Sequence, residues 1–380
     1  MKITRRLLIP ILIFLSLAFL SLLFILTWQG SKQFEQVEEE NLRKIGNIFI
    51  SHVQGEEELA IALALQSANN PEIQAALAAQ NRDALLTLTL PGFEQLFAEF
   101  GIPLYQFHLP PATVFLRLQD PDNFGDDLSG IRQTIVQANA NQEIVSGLEM
   151  EGDGTEVRGI APVTYQGQHI GAVEFGIPID ETFLNALKQE INADLQISLE
   201  RERADLTGKE SVTTSTGPTP ELFLYGSTLA TPLFGSVETY SQVLDGQSVY
   251  TRRVTRGEEN YGLLSIPLRD FSGEIIGVVD ILVDRTSLVQ SQVTNAIFLV
   301  VLVVIYLVLI SYGMSRIAGR TLHPINELTE IAEAIADGDR TRLVQIDSPD
   351  ELGNLADSFN KLTNQQRSLV STLEERLTDL

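Results

Sequence analysis

The sequence contains no cysteine and few residues of the kinds that bind metals or act as nucleophiles. Its 380 residues include one tryptophan, three methionines and four histidines. Without cysteine there is no disulfide and no thiolate chemistry, so the sequence does not indicate whether the compartment is oxidising or reducing. We expect no metal site and no cofactor, because no two of the histidines lie close together in the chain. The histidines are His52, His108, His169 and His323.

Basic residues are also scarce. The chain has 26 lysines and arginines against 50 aspartates and glutamates, which gives a formal net charge of -24 and a pI of about 4.5. A nucleic-acid partner is not expected, since phosphate binding needs a basic face. The simplest interpretation of the acidity is a solvated surface. No Ser/His/Asp grouping and no paired-carboxylate motif stands out, so the sequence offers no candidate catalytic residue.

Two long apolar runs decide the broad class of protein. The first, Leu7 to Trp28, has 22 residues without a charge, enough to cross a bilayer core at about 1.5 Å per residue. The second, Ala296 to Met314, is also uncharged. A cleaved signal peptide is the alternative for the first run, but no small-residue cleavage site follows it. A buried core helix is the alternative for the second, but that run has no polar face. We therefore predict two transmembrane helices.

The charges beside the two runs predict the orientation of the chain. Acidic residues flank the runs on the side of the long intervening segment, whereas basic residues flank them on the side of the two termini. By the positive-inside rule both termini are expected in the cytoplasm, and residues 29–295 outside it. The sequence thus predicts a two-pass protein of the cell membrane (inner or plasma membrane), in contact with its lipid. The basic residues are Lys2, Arg5, Arg6, Arg316 and Arg320.

The segment between the runs has the pattern of an α+β fold. Apolar residues recur at helical spacing over residues 31–69, and Pro71 predicts the end of that helix. A second helix is expected over 71–90, ended by Pro91-Gly92. Segments rich in β-branched and aromatic residues follow and predict strands, with sharp turns at 151–154 and 166–168 and a polar stretch over 208–219.

An internal repeat divides the strands into two groups. Residues 159–180 (GIAPVTYQGQHIGAVEFGIPID) and 263–284 (LLSIPLRDFSGEIIGVVDILVD) follow one plan. Each has a strand with a proline, a turn glycine, an Ile-Gly pair and a strand with an acid among apolar residues. The repeat predicts two related α+β modules in series.

A long helix followed by two such modules resembles the double Cache architecture of bacterial receptors, in which the modules are PAS-like. Residues 107–139 (FHLPPATVFLRLQDPDNFGDDLSGIRQTIVQAN) and 145–176 are similar to the Cache variant of sensor histidine kinases and methyl-accepting chemotaxis proteins. Gln119 stands where many relatives have a histidine after the Arg117-Leu118 pair. The resemblance implies that a small solute binds outside the cell, in the module farther from the membrane.

Six residues of that module are candidate ligand contacts under this resemblance. A guanidinium can hold a carboxylate through two parallel hydrogen bonds, which suits an organic acid or an amino acid. In an acid-rich domain the arginines could instead pair with Asp126, Asp127, Glu149 or Glu174. Asp126-Asp127 could bind an amine, but we favour a cap for a helix over 128–138. The candidates are Tyr105, His108, Arg117, Arg132, Arg158 and Tyr165.

Two short heptad-like patterns follow the second apolar run. Each has apolar residues spaced 3, 4 and 3 apart, and a connector over 340–348 joins them. This pattern resembles a HAMP domain, with Pro324 at the start of its first helix and Asp-Glu-Leu-Gly (350–353) at the start of its second. The implied signalling residues are Pro324, Glu351 and Gly353. The spaced residues are Ile325, Leu328, Ala332 and Ile335, then Leu352, Leu355, Phe359 and Leu362.

These thin apolar stripes cannot be buried within one chain, so they predict a homodimer with a parallel, coiled-coil four-helix bundle. Leu369, Leu373, Leu377 and Leu380 then step by 4, 4 and 3, which looks like a signalling helix with a stutter. The sequence stops in this helix, where an output module usually begins. We therefore expect either a fragment of a larger receptor or an output carried by another protein.

The sequence as a whole predicts an α+β receptor that senses a small extracytoplasmic solute and relays it to a cytoplasmic signalling partner. The alternative is a membrane-anchored binding or scaffold protein that recruits a partner by its cytoplasmic coiled coil without ligand switching. An extracytoplasmic enzyme is the weakest interpretation. The expected segments are an N-terminus over 1–6, transmembrane helices over 7–28 and 296–314, an outer domain over 29–295 (long helix 31–69, modules of about 70–180 and 181–286), HAMP over 315–367 and a signalling coiled coil over 368–380.

Overall fold

The fold is described from a computed structural model, which covers residues 2–151, 154–205, 216–339, 342–346 and 351–378. The centre of the expected turn at 151–154, most of the polar stretch 208–219, part of the connector 340–348, Asp350 and Leu380 lie outside the described residues.

The described residues form nine helices and ten strands, numbered here in chain order. The helices are α1 Lys2–Ala68, α2 Pro71–Ala78, α3 Arg82–Phe100, α4 Gln133–Asn141, α5 Glu181–Ile191, α6 Arg201–Asp205, α7 Val237–Leu244, α8 Thr286–Ala336 and α9 Glu351–Thr378. The strands are β1 Leu104–Leu109, β2 Thr113–Arg117, β3 Val145–Glu151, β4 Gly154–Tyr165, β5 Gln168–Pro178, β6 Asp194–Glu200, β7 Leu222–Ser227, β8 Val249–Arg256, β9 Glu259–Arg269 and β10 Ile275–Asp284.

Two antiparallel sheets of five strands confirm the expected pair of α+β modules. The first sheet has the order β2-β1-β5-β4-β3 and the second has the order β7-β6-β10-β9-β8. Strand for strand, this is the same topology. The repeat in the sequence corresponds to the two central pairs, β4-β5 and β9-β10. We call the first sheet with α2, α3 and α4 the first module, and the second sheet with α6 and α7 the second module.

Residues 32–290 form one compact unit, and one core runs through it. The buried side chains of α1, among them Leu42, Phe49 and Val53, pack on apolar residues of both sheets. Helices α4 and α7 cover the opposite faces of the first and second sheets over smaller apolar clusters. Because these cores lie within residues 32–290, this part of the chain can fold on its own.

Both apolar runs lie in long helices. The first belongs to α1 and the second to α8, and each of these helices is long and apolar enough to cross a membrane. As expected, α1 ends before Asn70, whose side chain caps α2.

Several helix boundaries differ from the sequence expectation. The single helix expected over 71–90 is divided into α2 and α3, because the chain turns at Gln80, which has a φ of 47°, and Asn81 caps α3. Pro91 lies inside α3, since burial of Leu85, Thr89 and Phe93 along one face outweighs the hydrogen bond that the proline cannot donate. Pro324 likewise lies inside α8 and does not start a new helix.

The helix expected at 128 begins only at Gln133, and Asp126-Asp127 does not cap it. The carbonyl of Asp126 instead accepts from the amide of Val114 at 2.9 Å, and Asp127 bridges Thr113. These residues extend the strand pairing at β2, and that use of their backbone is incompatible with a helix. Strand β7 and helix α7 are elements that the sequence patterns did not indicate.

The expected HAMP region, 315–367, buries a small cluster within one chain. Leu328 and Ile331 of α8 pack with Val344 of the connector and Ala356 of α9. The side-chain amide of Asn360 fixes the connector by bonding both the amide (2.9 Å) and the carbonyl (2.8 Å) of Val344. The apolar residues of the connector therefore anchor it to α9, as expected for a HAMP domain.

Candidate functional site

Five charged or titratable side chains meet on the face of the first sheet that α4 covers. His108, Glu149, Arg158 and Glu174 project from β1, β3, β4 and β5, and Arg132 precedes α4. All five are buried. We call these five residues the charged cluster. It brings together three of the six predicted ligand residues, His108, Arg132 and Arg158.

Glu174 lies at the centre of the charged cluster. His108 Nε2 lies 2.8 Å from one of its oxygens, and Arg158 Nη1 lies 3.3 Å from the other. Arg132 also binds that second oxygen. Arg132 extends the network to Glu149, since its Nε donates to that carboxylate at 2.9 Å.

Glu149 in turn fixes the start of α4. It accepts from the hydroxyl of Thr134 at 2.6 Å and from the amide of Thr134 at 3.2 Å. The position of α4 on the sheet therefore depends on a charged network and not only on apolar packing.

The electrostatics of the charged cluster keep Glu174 ionised. Burial alone would raise the pKa of this carboxyl, but Arg132, Arg158 and the bond from His108 hold the pKa well below its usual range. Burial lowers the pKa of His108, which Glu174 offsets only in part. The imidazole is therefore neutral at neutral pH and donates from Nε2, while its buried Nδ1 has no hydrogen-bond partner among the described residues.

The other three candidates make no hydrogen bond or ion pair with the charged cluster among the described residues, although the charge of Arg117 adds to the effect of burial in lowering the pKa of His108. Tyr105 projects to the opposite face of the sheet, where its hydroxyl donates to Ser67 of α1 at 2.9 Å. Arg117 pairs with Asp126 at 2.8 Å. Tyr165 lies at the β4-β5 turn, half-buried. The arginines are thus paired with internal acids, the alternative that the sequence left open: Arg117 pairs with Asp126, and Arg132 and Arg158 pair with Glu174.

The second module buries an acid at the matching place. Asp280 of β10 follows Ile-Gly-Val-Val, just as Glu174 of β5 follows Ile-Gly-Ala-Val. Its partners are neutral: Tyr240 of α7 donates to it at 2.7 Å, and Ser265 of β9 donates to its other oxygen. Burial raises the pKa of Asp280 to about 6, against the opposing effect of these hydrogen bonds. An acid among apolar strand residues was the signal in the sequence for both sites.

The two modules are joined by direct contacts. The turn between β9 and β10 reaches the edge strand β3, where the amide of Phe271 donates to the carbonyl of Leu148 at 2.9 Å. The Phe271 side chain packs against the cluster beneath α4. Glu149 belongs to the same short strand, so β3 carries both a member of the charged cluster and the contact to the second module.

A buried ion pair lies where β10 passes into α8. Arg285, the one residue between them, binds Glu38 of α1 and the carbonyl of Arg252, and its amide donates to the carbonyl of Asn260 at 2.7 Å. Both charged residues of the pair are buried. The helices α1 and α8 are thus tied together at the point where the second sheet ends.

The predicted HAMP residues lie on α8 and α9. Pro324 is half-buried within α8, Glu351 is the exposed first residue of α9, and Gly353 is half-buried one position beyond Leu352. Among the described residues, no group of three or more histidines and acids is arranged to hold a metal ion.

The chain matches two family models. One, described as the double sensory domain of two-component sensor kinases, matches residues 35–289, and the HAMP domain matches residues 316–367. Together with two helices that can cross a membrane, these domains indicate a membrane receptor. Both are domains of sensing and signal relay, not of catalysis.

Similar solved structures are also sensor domains. They include the sensory domain of the Campylobacter jejuni chemoreceptor Tlp3 with isoleucine bound (11% identity, 67% of this chain and 93% of that one, TM-score 0.40). Others are the sensor domain of the Vibrio cholerae histidine kinase DctB (11%, 67% and 98%, 0.39) and the periplasmic domain of V. cholerae LuxQ (12%, 64% and 98%, 0.38). At these identities and scores we draw nothing from them about a ligand of this chain. On the two family matches, the chain belongs to the sensory receptors with a double Cache domain and carries a HAMP domain.

Proposed function

We propose that this protein is a two-pass, homodimeric receptor that senses a small solute outside the cytoplasm and relays it through α8 and the HAMP domain to a cytoplasmic output module. Both termini are cytoplasmic in this proposal, and the domain boundaries are those expected from the sequence. The observation that carries it is the continuity of the chain after the second sheet. A single residue, Arg285, separates β10 from α8, and α8 runs unbroken to Ala336 in the HAMP domain. No flexible linker separates β10 from α8, so a displacement of β10 is transmitted to α8.

The charged cluster supplies the solute site in this proposal, and a carboxylate-bearing solute is the class that fits it. Without solute, the carboxylates of Glu149 and Glu174 form ion pairs with the arginines of the charged cluster. A solute carboxylate that replaces Glu149 on Arg132 keeps the guanidinium paired, and no buried charge is left without a partner once the displaced Glu149 carboxylate has turned out into water. It also frees Glu149 from Thr134, which releases both α4 and β3.

The released strand is the one that contacts the second module. Since Phe271 is bonded to β3, movement of β3 reaches the β9-β10 turn and then the start of α8. A solute can drive this change only to the extent that it binds the released state more tightly than the closed state. The candidate ligand residues His108, Arg132 and Arg158 act here; Tyr105, Arg117 and Tyr165 remain predictions without a contact to the charged cluster.

A substitution at Glu149 tests this site. Glu149→Gln removes the charge of the internal competitor but keeps hydrogen-bonding atoms for Arg132 and Thr134. We expect the sensor domain, residues 32–290, to bind a carboxylate solute about tenfold more tightly, a gain of about 1.4 kcal/mol. The measurement is calorimetric titration with a solute found by a thermal-shift screen of organic acids, amino acids and amines. Glu143→Gln, at an exposed neighbouring glutamate, is the control and should bind as the unaltered domain does. Equal or weaker binding by Glu149→Gln would contradict the exchange.

The relay has its own test. Because the chain has no cysteine, Leu369→Cys carries a single spin label near the end of α9. In nanodiscs, the distance between the labels of the two protomers should change when the solute is added and should not change with a non-binding analogue. A solute that binds without altering this distance favours the rival function, a membrane-anchored binding or scaffold protein without ligand switching.

A further inference from the structure

The buried acid of the second module takes no part in the proposed solute site. Asp280 is 1% exposed, and donors from three elements surround its carboxyl group. Tyr240 of α7 lies 2.7 Å from one oxygen, Ser265 of β9 bonds the other, and the side chain of Gln196 of β6 is also bonded to it. These partners are neutral, whereas Glu174 at the matching position of the first module has two guanidinium groups.

The other charged or titratable groups of α7, β6, β9 and β10 are paired elsewhere, bonded at strand ends or exposed. Asp194 pairs with Lys188, and the guanidinium of Arg269 lies against Gly246, beyond the end of α7. None of these groups alters the pKa of Asp280, which burial raises to about 6 against the opposing effect of its hydrogen bonds. The groups are Asp194, Glu200, Glu238, Asp245, Glu259, Tyr261, Arg269 and Asp284.

Loss of the proton from Asp280 therefore leaves a negative charge that no cation among the described residues offsets. A buried carboxylate in this situation is unfavourable, and it is stabilised when water reaches it. The bond from Tyr240 links α7 to β10, and around it Val243 of α7 and Val278 of β10 belong to one apolar cluster. Lifting α7 from β10 breaks this bond and admits water to the carboxylate.

We propose that the second module is a proton sensor, in which protonated Asp280 holds α7 on β10 and ionised Asp280 releases it. Acidification outside the cytoplasm then favours the closed module. Asp280 lies five residues before Arg285, the one residue between β10 and α8, so closure acts on the strand that leads into α8. The relay of this change rests on the proposed function, whereas proton binding and the closure of α7 do not.

The sensor works between the pKa of Asp280 in the open state and its pKa in the closed state. The closed-state pKa is about 6, and a carboxyl exposed to water has the ordinary value of 3.8. The closed state is therefore fully favoured below pH 3.8 and loses this advantage as pH rises through about 6. A difference of about two units corresponds to about a 100-fold change in the ratio of closed to open modules.

The test measures proton binding and movement of α7 separately, in residues 32–290. Carbon-13 NMR of labelled aspartate carboxyl groups should show one signal that titrates near pH 6 and is missing in Asp280→Asn. Spin labels at Glu238→Cys of α7 and Glu258→Cys of the β8-β9 turn, both exposed, should gain a second, longer distance as pH rises from 4 to 7. Asp280→Asn, which is neutral at every pH, should keep the short distance throughout.

Two further variants give a direction and a control. Tyr240→Phe removes a hydrogen bond that lowers the pKa of Asp280, so the midpoint of the carboxyl titration should move to higher pH. This variant also tests the proposal if Asp280→Asn does not fold. Asp245→Asn changes an exposed acid directly after α7 and should titrate and move as the unaltered domain does.

A pKa near 4 for Asp280 would overturn the proposal. So would a label distance that is the same at both pH values, or one that changes equally in Asp280→Asn. In the full chain in nanodiscs, the distance between the Leu369→Cys labels of the two protomers should respond to pH without any solute. A module that closes on acidification while this second distance stays constant would contradict the relay of the proposed function and would leave the proton sensor intact.

Discussion

At the residue scale, one strand position carries an acid in both modules, and the partners of that acid determine its pKa. Glu174 has two guanidinium groups and a histidine around it, so it is ionised. Asp280 has a tyrosine and a serine hydroxyl, so nothing nearby compensates a negative charge and its pKa rises to about 6. The same place in the fold thus holds an acid compensated by cations in one module and an acid bonded only by neutral donors in the other.

Asp280 makes the stability of the second module dependent on pH. Its folded-state pKa of about 6 exceeds the ordinary value of 3.8, so the folded state binds the proton more tightly than the unfolded state. The contribution of this group to stability is therefore complete below pH 3.8 and is lost as pH rises through about 6. A shift of about two pH units corresponds to about 3 kcal/mol.

We expect Asp280→Asn to flatten this dependence. The difference in unfolding free energy between the two ends of that pH range, measured by urea denaturation of residues 32–290, should shrink by about 3 kcal/mol in the variant. Asp122→Asn, in an exposed loop, should keep the dependence of the unaltered domain. An equal slope in Asp280→Asn and the unaltered domain would show that Asp280 is not the group responsible.

At the scale of elements, the contact between the β9-β10 turn and β3 depends on a glycine. Gly147 of β3 has φ +141°, which side-chain-bearing residues rarely adopt, and a Cβ there would lie 2.7 Å from the Cα of Phe271. The turn and strand β3 can approach this closely only because Gly147 has no side chain. This contact is the step of the proposed relay that joins the two modules.

Gly147→Ala should therefore separate the turn from β3. We expect a loss of about 3 kcal/mol in unfolding free energy, from the strained backbone together with the clash against a main-chain atom. Gly167→Ala is the matched control, since Gly167 also has a positive φ (+80°) but has open space around it, and it should cost only about 1 kcal/mol. Equal losses in the two variants, by urea denaturation, would show that contact with Phe271 adds nothing.

At the scale of the whole molecule, the HAMP region leaves apolar side chains exposed in the single chain. Leu355, Leu362 and Leu369 of α9 are 52%, 68% and 64% exposed, and they are spaced seven residues apart. Leu328, Ile331 and Ala356 are already buried within the chain. A heptad stripe left over after the intrachain cluster has formed is the surface that a parallel coiled coil requires.

Single cysteines test the homodimer in this otherwise cysteine-free chain. Leu362→Cys should form a disulfide between protomers rapidly under mild oxidation in membranes, because residues of a parallel seam face their own copies. Asn364→Cys, exposed and on another face of the same helix, should react several-fold more slowly. Similar rates at the two positions, read on non-reducing gels, would contradict the parallel seam.

The sequence by itself determined the family, the two apolar helices, the two α+β modules and the HAMP domain. These follow from local periodicity, composition and an internal repeat, which adjacent residues encode. It also named the members of the charged cluster, three as ligand candidates and two, Glu149 and Glu174, as acids that could pair with arginines. The sequence did not give the start of α4, because the backbone of Asp126 and Asp127 pairs with β2 instead of forming a helix. It did not give the extent of α3 either, because burial of one face keeps Pro91 inside that helix.

The tertiary structure alone decided which charges meet. Arg132 and Glu174 are 42 residues apart in the chain, and Glu38 and Arg285 are 247 apart, yet each pair is in contact. The contact of Tyr105 with Ser67 likewise depends on the packing of α1 against the first sheet. Side-chain charge is a property of the sequence, but its compensation is a property of long-range packing, and it is the compensation that assembles the charged cluster.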